Sequence, residues 1–393
     1  MVNVLFSVLS RAIVILSQVV IIMLMIRLYG ELTTGYFSYA SAIASVLFMC
    51  CTFTLTKLVA VRYRNRSVTY FFSIFLVGGV VSFILYIFSY FIFIKDEPFL
   101  VFSTFLIKLL DYSNEFYMVY YRRVGKEVLL FKKQVFRFLS VIVVFGIVNL
   151  LDISASVSLT LLSAFYFAFL IFDCCLFRPS FKVVCSGKPF IYYIKMIRLS
   201  WKNSLNGLLS TFSTNSPKFA CAYFLGMEVV AIYTILSYVY TVFCTFVSIL
   251  IQAFVIKIKD YDSDWRKFEI KTIVFVISSV LFVSFVNFYC GYNLFSFVVD
   301  LSIGEESYIV VTSLLLLTTI PLSIRDLESY LFIKKGFIAY INLSTIISLV
   351  SFWLAISIPG LLSLSQLCFY LLLSNCVGMT ILVCSRFYKV KVK

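Results

Sequence analysis

Two of the long apolar stretches of the sequence each carry a pair of carboxylates, which can bind or transfer ions. They are Asp111, Glu115, Asp326 and Glu328. A charge inside a bilayer is costly, so ionisable groups there commonly belong to ion pathways. The alternative is a structural ion pair with a neighbour on the same helix. Lys108 precedes Asp111 by three residues, and Arg325 precedes Glu328 by three. The spacing leaves both roles open.

Glu115 differs from Asp111 because no basic residue follows it at helical spacing before Arg122, at the edge of the apolar stretch. A carboxylate without a nearby cation can take up and release a proton. The chain has no histidine, so carboxylates are the titratable groups available for this role. We therefore expect Glu115 to be the coupling residue, with the other three carboxylates as further candidates.

A second set of polar residues lies in other apolar stretches. Within each stretch their spacing places them on one face of a helix. The members of this set are Arg11, Gln18, Asn203, Ser210, Thr214, Lys218 and Tyr233. Hydroxyl and amide groups exchange hydrogen bonds with sugars, and Arg11 and Lys218 can hold phosphate. The set therefore indicates a large, hydrated, anionic cargo. The alternative left open for any single helix is that its Ser and Thr side chains only allow helices to pack closely.

The elements that carry these residues are long apolar segments. The chain has 393 residues, of which 62% are hydrophobic and 13% charged, a composition typical of a polytopic membrane protein. A helix needs about 20 residues to cross a bilayer. Twelve segments are predicted: Val4–Leu28, Tyr36–Val59, Tyr70–Ile94, Phe99–Tyr121, Val135–Leu151, Ser158–Phe177, Ser200–Leu225, Val229–Ile256, Thr272–Phe288, Tyr308–Ile333, Phe337–Ile358 and Leu361–Cys384.

Basic residues alternate between the two sides of the predicted membrane. They concentrate in the even-numbered connections and the carboxyl-terminal tail, whereas the odd-numbered connections carry acids and only Lys95. This pattern follows the positive-inside rule, so both termini are expected in the cytoplasm. Anionic lipid headgroups then explain the net charge of +15, and no nucleic-acid partner is expected.

The sequence favours a protein without a cofactor or a metal. The eleven cysteines have no metal-ligand spacing, and histidine is absent. No glycine-rich phosphate loop is present, so ATP hydrolysis by this chain is not expected. Uphill transport would then draw on an ion gradient.

Two short sequences recur half a chain apart. Setting Gly30 against Gly226 aligns Phe37 with Tyr233, an offset of 196 residues. The repeat predicts an all-α polytopic membrane protein, with twelve transmembrane helices in two repeat-related halves around a central polar cavity. The predicted parts are an N-terminal six-helix half at 1–177, a basic cytoplasmic connector at 178–198, and a C-terminal six-helix half at 199–393.

The motifs around these glycines resemble those of polysaccharide-exporting flippases. In the first half they are Leu28-Tyr29-Gly30, Gly35-Tyr36-Phe37-Ser38, and Lys57 with Arg62. In the second half they are Phe224-Leu225-Gly226 and Ile232-Tyr233, which resemble the family's seventh-to-eighth hairpin. The superfamily is that of the multidrug, oligosaccharidyl-lipid and polysaccharide exporters. Within it, length, basic character and abundant Phe and Tyr look most like bacterial O-antigen flippases.

The resemblance implies a transporter of lipopolysaccharide biosynthesis in the bacterial inner membrane. It would move an undecaprenyl-pyrophosphate-linked oligosaccharide from the cytoplasmic to the periplasmic leaflet by alternating access. Its partners would be this lipid-linked cargo, membrane lipids and other polysaccharide-assembly membrane proteins. Many relatives carry an Asp-Arg pair where this chain has Pro217-Lys218, so a role for that acid does not transfer.

Two other classes of protein compete with a flippase. An O-antigen polymerase or ligase would also bind lipid-linked sugars, but such enzymes usually need a long external loop, and the external connections here are short. A drug or cation antiporter of the same superfamily would favour an acidic cavity, whereas the hairpin helices here carry Arg and Lys. We therefore expect a transporter rather than an enzyme.

Overall fold

The computed structural model describes residues 2–52, 68–93, 97–178, 188–255, 264–293, 296, 303–334, 337–358 and 363–390. Within these ranges the chain is helical, with short turns and no β-strand. The chain divides into two compact units, Met1–Asn215 and Ser216–Lys393, called here the N-terminal and C-terminal units. The predicted all-α class is therefore confirmed.

The N-terminal unit contains five helices and most of a sixth. They are α1 (Val2–Thr52), α2 (Val68–Phe93), α3 (Pro98–Arg123), α4 (Glu127–Leu151), α5 (Ala155–Phe177) and α6 (Lys188–Phe224). The C-terminal unit contains the end of α6 and five further helices. These are α7 (Met227–Val255), α8 (Asp264–Val286, continued by a π-helical turn at Asn287–Gly291), α9 (Glu305–Lys334), α10 (Ile338–Ile356) and α11 (Leu364–Val390).

Nine helices in the described ranges are long and apolar enough to cross a membrane. The first of these spans, Val8–Cys51, covers two predicted segments, because α1 has a limb on each side of Gly30. The helices α3 and α6 are not among the nine. Both coincide with predicted segments, and both are rich in the charged and polar residues that the sequence marked as functional. The many apolar helices indicate a multi-pass membrane protein.

The backbone repeats itself at the two predicted hairpin glycines. Gly30 has a φ of 80°, and Gly226, between α6 and α7, has a φ of 97°. Glycine has no Cβ, so it adopts this left-handed backbone without strain. After each glycine the chain enters a buried run, and the repeat-related Phe37 and Tyr233 are 4% and 2% exposed. The predicted repeat is thus reproduced in the conformation of the chain.

Tyr29, in the first hairpin motif, fastens α1 to α5. Its hydroxyl donates to the carbonyl of Ile153 at 2.9 Å and lies 2.5 Å from the hydroxyl of Ser158. The predicted connector is partly helical: residues 188–198 form the first turns of α6, and residues 179–187 lie outside the described ranges. The Tyr193 hydroxyl donates to the carbonyl of Cys51 at 2.8 Å, which joins this helix to the end of α1.

Aromatic rings fill much of the core of the N-terminal unit. Phe105 of α3 stacks on Phe48 of α1 at 5.0 Å between centroids and contacts Tyr86 of α2 at 4.7 Å. In the C-terminal unit, aliphatic side chains of α7, α8 and α9 form a buried cluster that includes Val247, Val280 and Leu316. Non-directional apolar packing therefore holds α1–α3 together, as it does α7–α9.

Helix α4 begins earlier than the sequence predicted. The predicted segment started at Val135, whereas the helix starts at Glu127. The sequence assigned Lys133 and Arg137 to a cytoplasmic connection, yet both are buried in α4 at 4% exposure. They can be buried because each has a carboxylate partner on a neighbouring helix.

Close helix packing at Gly378 gives the first testable prediction. A Cβ at this position of α11 would lie 3.0 Å from the Cβ of Ser348 and 3.2 Å from the carbonyl oxygen of Ser344, both on α10. We expect Gly378→Ala to destabilise the protein by about 1–3 kcal/mol through overpacking. Gly146 in α4 is the matched control, because a Cβ there meets nothing within 4 Å.

Thermal unfolding of the purified protein in detergent measures both variants. Gly378→Ala should lower the midpoint, and Gly146→Ala should leave it unchanged or raise it, since alanine favours helix over glycine. Equal midpoints for the two variants would contradict the close packing of α10 on α11.

Candidate functional site

Two ion pairs, one buried and one partly buried, join α4 to its neighbours in the N-terminal unit. Arg137 of α4 binds Asp111 of α3, and Lys133 of α4 binds Asp173 of α5. Lys108 lies on the other side of Asp111, with its Nζ 3.9 Å from Oδ2. The Asp111 carboxylate thus has the local partner that the sequence suggested and a second one that it did not.

Aromatic and amide groups complete this polar layer. The hydroxyl of Tyr121 donates to Oδ1 of Asp173 at 2.8 Å, and the ammonium of Lys133 lies 5.5 Å from the centre of the Tyr121 ring. The guanidinium of Arg137 lies 3.7 Å from the centre of the Tyr166 ring, a cation–π contact. Hydrogen bonds and ring faces therefore replace water around the buried cations.

Sequence reasoning missed Lys133, Arg137 and Asp173 as members of this network. A signal was present: the two cations are four residues apart, which places them on one helical face. Asp173 is the only carboxylate in the sixth apolar segment. Their pairing nevertheless depends on how α3, α4 and α5 pack, which local spacing does not reveal.

Glu115 is an exposed side chain on α3, one turn beyond Asp111. The sequence offered it no basic partner nearby. In the fold the negative charge of Asp111 acts on it, and so do the positive charges of Lys108, Arg11 and Arg137, from α3, α1 and α4. Within the described part of the chain no cation forms a salt bridge with it. Glu115 is thus an exposed carboxylate near one acid and three cations, whereas Asp111 is a paired carboxylate.

Arg11 and Gln18 lie half-buried on the first limb of α1. They are seven residues apart, so they share a helical face. The charge of Arg11 acts on Glu115, which brings a predicted cargo-binding residue and a predicted coupling residue to one region. The sequence had placed these two roles on separate segments.

The other predicted cargo residues are divided between the two units. Ser210 and Thr214 are exposed on α6 in the N-terminal unit, where the Thr214 hydroxyl donates to the carbonyl of Ser210 at 2.8 Å. Lys218 is half-buried further along α6, in the C-terminal unit, and Tyr233 is buried on α7. Asn203 is in α6, but its side chain lies outside the described structure.

The C-terminal unit holds a second charged cluster at Arg386 of α11. Its Nη1 donates to Glu328 of α9 at 2.5 Å and to both oxygens of Glu269 of α8, at 2.8 and 2.9 Å. The sequence spacing suggested Arg325 as the partner of Glu328. The structure gives Arg386 instead, because α11 packs beside α9. Asp326, next along α9, is exposed.

The described residues contain no group of three or more Cys, Asp or Glu side chains placed to hold a metal ion. The described cysteines are all free thiols. The polar groups of the candidate site are therefore guanidinium, ammonium, carboxylate and hydroxyl groups.

Comparison with known proteins gives the fold. No protein-family model and no curated protein matches the sequence. A solved multidrug-resistance MATE transporter of the MOP superfamily in an inward-facing conformation is similar, with a TM-score of 0.66, 12% identity, and coverage of 98% of this chain and 95% of that one. The chain has the fold of a MATE-type transporter.

Two further structures support the MATE-like fold. A Vibrio cholerae MATE transporter has a TM-score of 0.61 at 13% identity, covering 100% of this chain and 95% of that one. A MOP superfamily transporter from Pyrococcus furiosus has a TM-score of 0.59 at 13% identity, covering 98% and 94%. The MATE-like fold, with its two repeat halves, thus extends over the whole chain.

The pair Lys133–Asp173 gives the second prediction. Removing one partner leaves an uncompensated buried charge, so Asp173→Asn and Lys133→Met should each destabilise the protein by about 3–5 kcal/mol. The double variant removes both charges and keeps an oxygen for the Tyr121 hydroxyl, so it should be more stable than either single variant. Thermal unfolding in detergent measures all three.

Lys132 is the matched control, because it is exposed one residue away on α4. Lys132→Met should change the midpoint little. If the two single losses simply add in the double variant, the pair is not energetically coupled.

Proposed function

We propose that this chain is a flippase for an undecaprenyl-pyrophosphate-linked oligosaccharide, such as an O-antigen repeat unit. It moves this cargo from the cytoplasmic to the periplasmic leaflet by alternating access, coupled to an ion gradient. Its substrates and partners are then lipids and membrane proteins of polysaccharide assembly. Both termini lie in the cytoplasm and the chain resides in the bacterial inner membrane.

The observation that carries this proposal is that Arg11 lies near enough to Glu115 for its charge to act on that carboxylate. Arg11 is a half-buried guanidinium on the polar face of α1, suited to phosphate. Glu115 is an accessible carboxylate within electrostatic range of it. An anion-binding group next to a group that can carry a proton is what gradient-driven movement of an anionic headgroup requires.

The fold is compatible with such a cargo. Transporters with two repeat-related halves commonly work by rocking one half against the other. One of the similar structures, from Pyrococcus furiosus, is described as having a binding pocket of reverse polarity that suggests a different function. Cargo chemistry therefore varies among proteins of this fold, and here the cations near the start of α1 favour an anion.

Export of cationic drugs is the second candidate, because a similar solved structure is a multidrug-resistance transporter. An enzyme acting on lipid-linked sugars is less favoured, because the similar structures are transporters. A drug exporter would bind its cargo through carboxylates, so its substrates would be cations and Glu115 would contact them. The phenotype of cells without the chain separates the two classes.

Deletion of the gene that encodes this chain gives the third prediction. Lipid-linked oligosaccharides should accumulate on the cytoplasmic leaflet, and Arg11→Ala should reproduce this effect at normal membrane abundance. Arg11→Lys should retain part of the export, because the charge remains and the bidentate geometry is lost. Radiolabelled or lectin-detected lipid-linked sugars measure the accumulation.

Gln18→Ala is a control on the same face of α1, and it should reduce export less because a neutral amide is lost. Full export by Arg11→Ala would contradict its role. Sensitivity to cationic drugs without any change in lipid-linked sugars would favour the second candidate.

Replacement of Glu115 gives the fourth prediction. Glu115→Gln should abolish gradient-dependent export and leave cargo binding intact, because it removes the titrating group and keeps its size. Asp111→Asn is the comparison, since Asp111 is held in an ion pair with Arg137 and its loss should lower stability first. Transport into vesicles with and without an imposed pH gradient measures coupling.

If export by Glu115→Gln still depends on the gradient, and export by a folded Asp111→Asn variant does not, the coupling role belongs to Asp111.

A further inference from the structure

Arg122 is a half-buried arginine, and part of its guanidinium group has no hydrogen-bond partner among the described residues. It lies at the end of α3, and its Nε and Nη2 are buried without a hydrogen-bond partner in the described chain. Buried donors are costly to leave unpaired, so such a group indicates a water or an ion that completes the site. Arg137 and Arg386 also lie among packed helices, but each binds a carboxylate. No described carboxylate forms a salt bridge with Arg122.

A second guanidinium lies close to Arg122. The charge of Arg11, on α1, acts on Arg122 and disfavours its positive form. The negative charge of Glu127 also acts on Arg122, but no salt bridge joins the two in the described structure, and Oε2 of Glu127 is itself buried without a partner. Two like charges held near each other favour a bound anion between or beside them.

The start of α4 reaches the same region. Phe6 of α1 and Phe131 of α4 pack with their ring centroids 5.3 Å apart, so the first turns of the two helices are neighbours. The N-cap residue of helix α4, Lys126, makes no side-chain capping hydrogen bond, and the first turn carries one carboxylate, Glu127. Uncapped backbone N–H groups at a helix start attract negative charge, and here they accompany the unpaired donors of Arg122.

We propose that Arg122 and Arg11, with the first turn of α4, bind the pyrophosphate of a lipid-linked cargo where α3 ends and α4 begins. The assignment of a cargo rests on the proposed flippase function. A pyrophosphate has two phosphoryl groups, so each guanidinium can bind one in a bidentate manner. A phosphodiester headgroup has a single phosphoryl group and can satisfy only one of the two arginines.

Binding of inorganic pyrophosphate to the purified protein tests the site. The protein is placed in nanodiscs of phosphatidylcholine, which has no net charge, and binding is measured by calorimetry. We expect saturable binding to the wild type and about 10- to 100-fold weaker binding to Arg122→Ala, because charge-assisted hydrogen bonds are lost. Arg122→Lys should fall between them, since it keeps the charge alone.

Lys132→Ala is the matched control, because it removes one positive charge from an exposed position near the start of α4. It should leave binding nearly unchanged. Equal weakening by Lys132→Ala and Arg122→Ala would overturn the site in favour of general surface charge. Equal binding by the wild type and Arg122→Ala would overturn the site outright. Absence of pyrophosphate binding, together with an equal loss of stability in Arg122→Ala and Glu127→Ala, would also overturn it, because Arg122 would then be paired with Glu127.

The source of the phosphate is tested by competition. Polyprenyl pyrophosphate included in the nanodisc should displace inorganic pyrophosphate from the wild type, and phosphatidylglycerol at the same content should not. Equal displacement by phosphatidylglycerol would assign the site to bulk anionic lipid and overturn the cargo assignment.

Export assays separate this inference from the proposed function. If Arg11→Ala blocks export while Arg122→Ala exports normally, the site at Arg122 is wrong and the flippase function stands. If Arg122→Ala loses pyrophosphate binding but deletion of the chain leaves lipid-linked sugars unchanged, the binding site stands and the flippase function is wrong.

Discussion

Charges among membrane helices need partners within the protein, since hydrocarbon does not solvate them. In the N-terminal unit this constraint is met by α4, which supplies Lys133 to Asp173 and Arg137 to Asp111. These two pairs join α3, α4 and α5 across their polar faces. Apolar packing alone would leave the carboxylates on these faces without a partner. The early start of α4 follows from the same constraint, because its basic first turns can be helical and buried only beside those carboxylates.

Pairing also separates structural charges from available ones. Asp111, Asp173 and Glu328 are each bound to a cation, so a proton or metal ion would have to compete with that cation. Glu115 is exposed, and Arg122 keeps buried donors without partners. The proposals use these two groups, and both lie on α3, one of the two helices that hydropathy does not recognise as a span.

The two units share a backbone plan but distribute charge differently. Gly30 and Gly226 have the same left-handed conformation at repeat-related positions. The N-terminal unit pairs its carboxylates with cations from α4, in the middle of that unit. In the C-terminal unit a single cation on the last helix, Arg386, serves two carboxylates. A repeated scaffold with unequal electrostatics allows one half to bind an anion while the other half has a mainly structural network.

The sequence alone determined the helical segments, the repeat and the hairpin glycines, because bilayer thickness and local backbone chemistry act over short distances. It also identified Asp111, Glu115 and Glu328 as charges that need an explanation. Only the tertiary structure decided their partners: Arg137 lies 26 residues from Asp111 and Arg386 lies 58 from Glu328. Charge pairing depends on distance in space, and helix packing sets that distance. The same packing brought Arg11 near enough to Glu115 for its charge to act on that carboxylate.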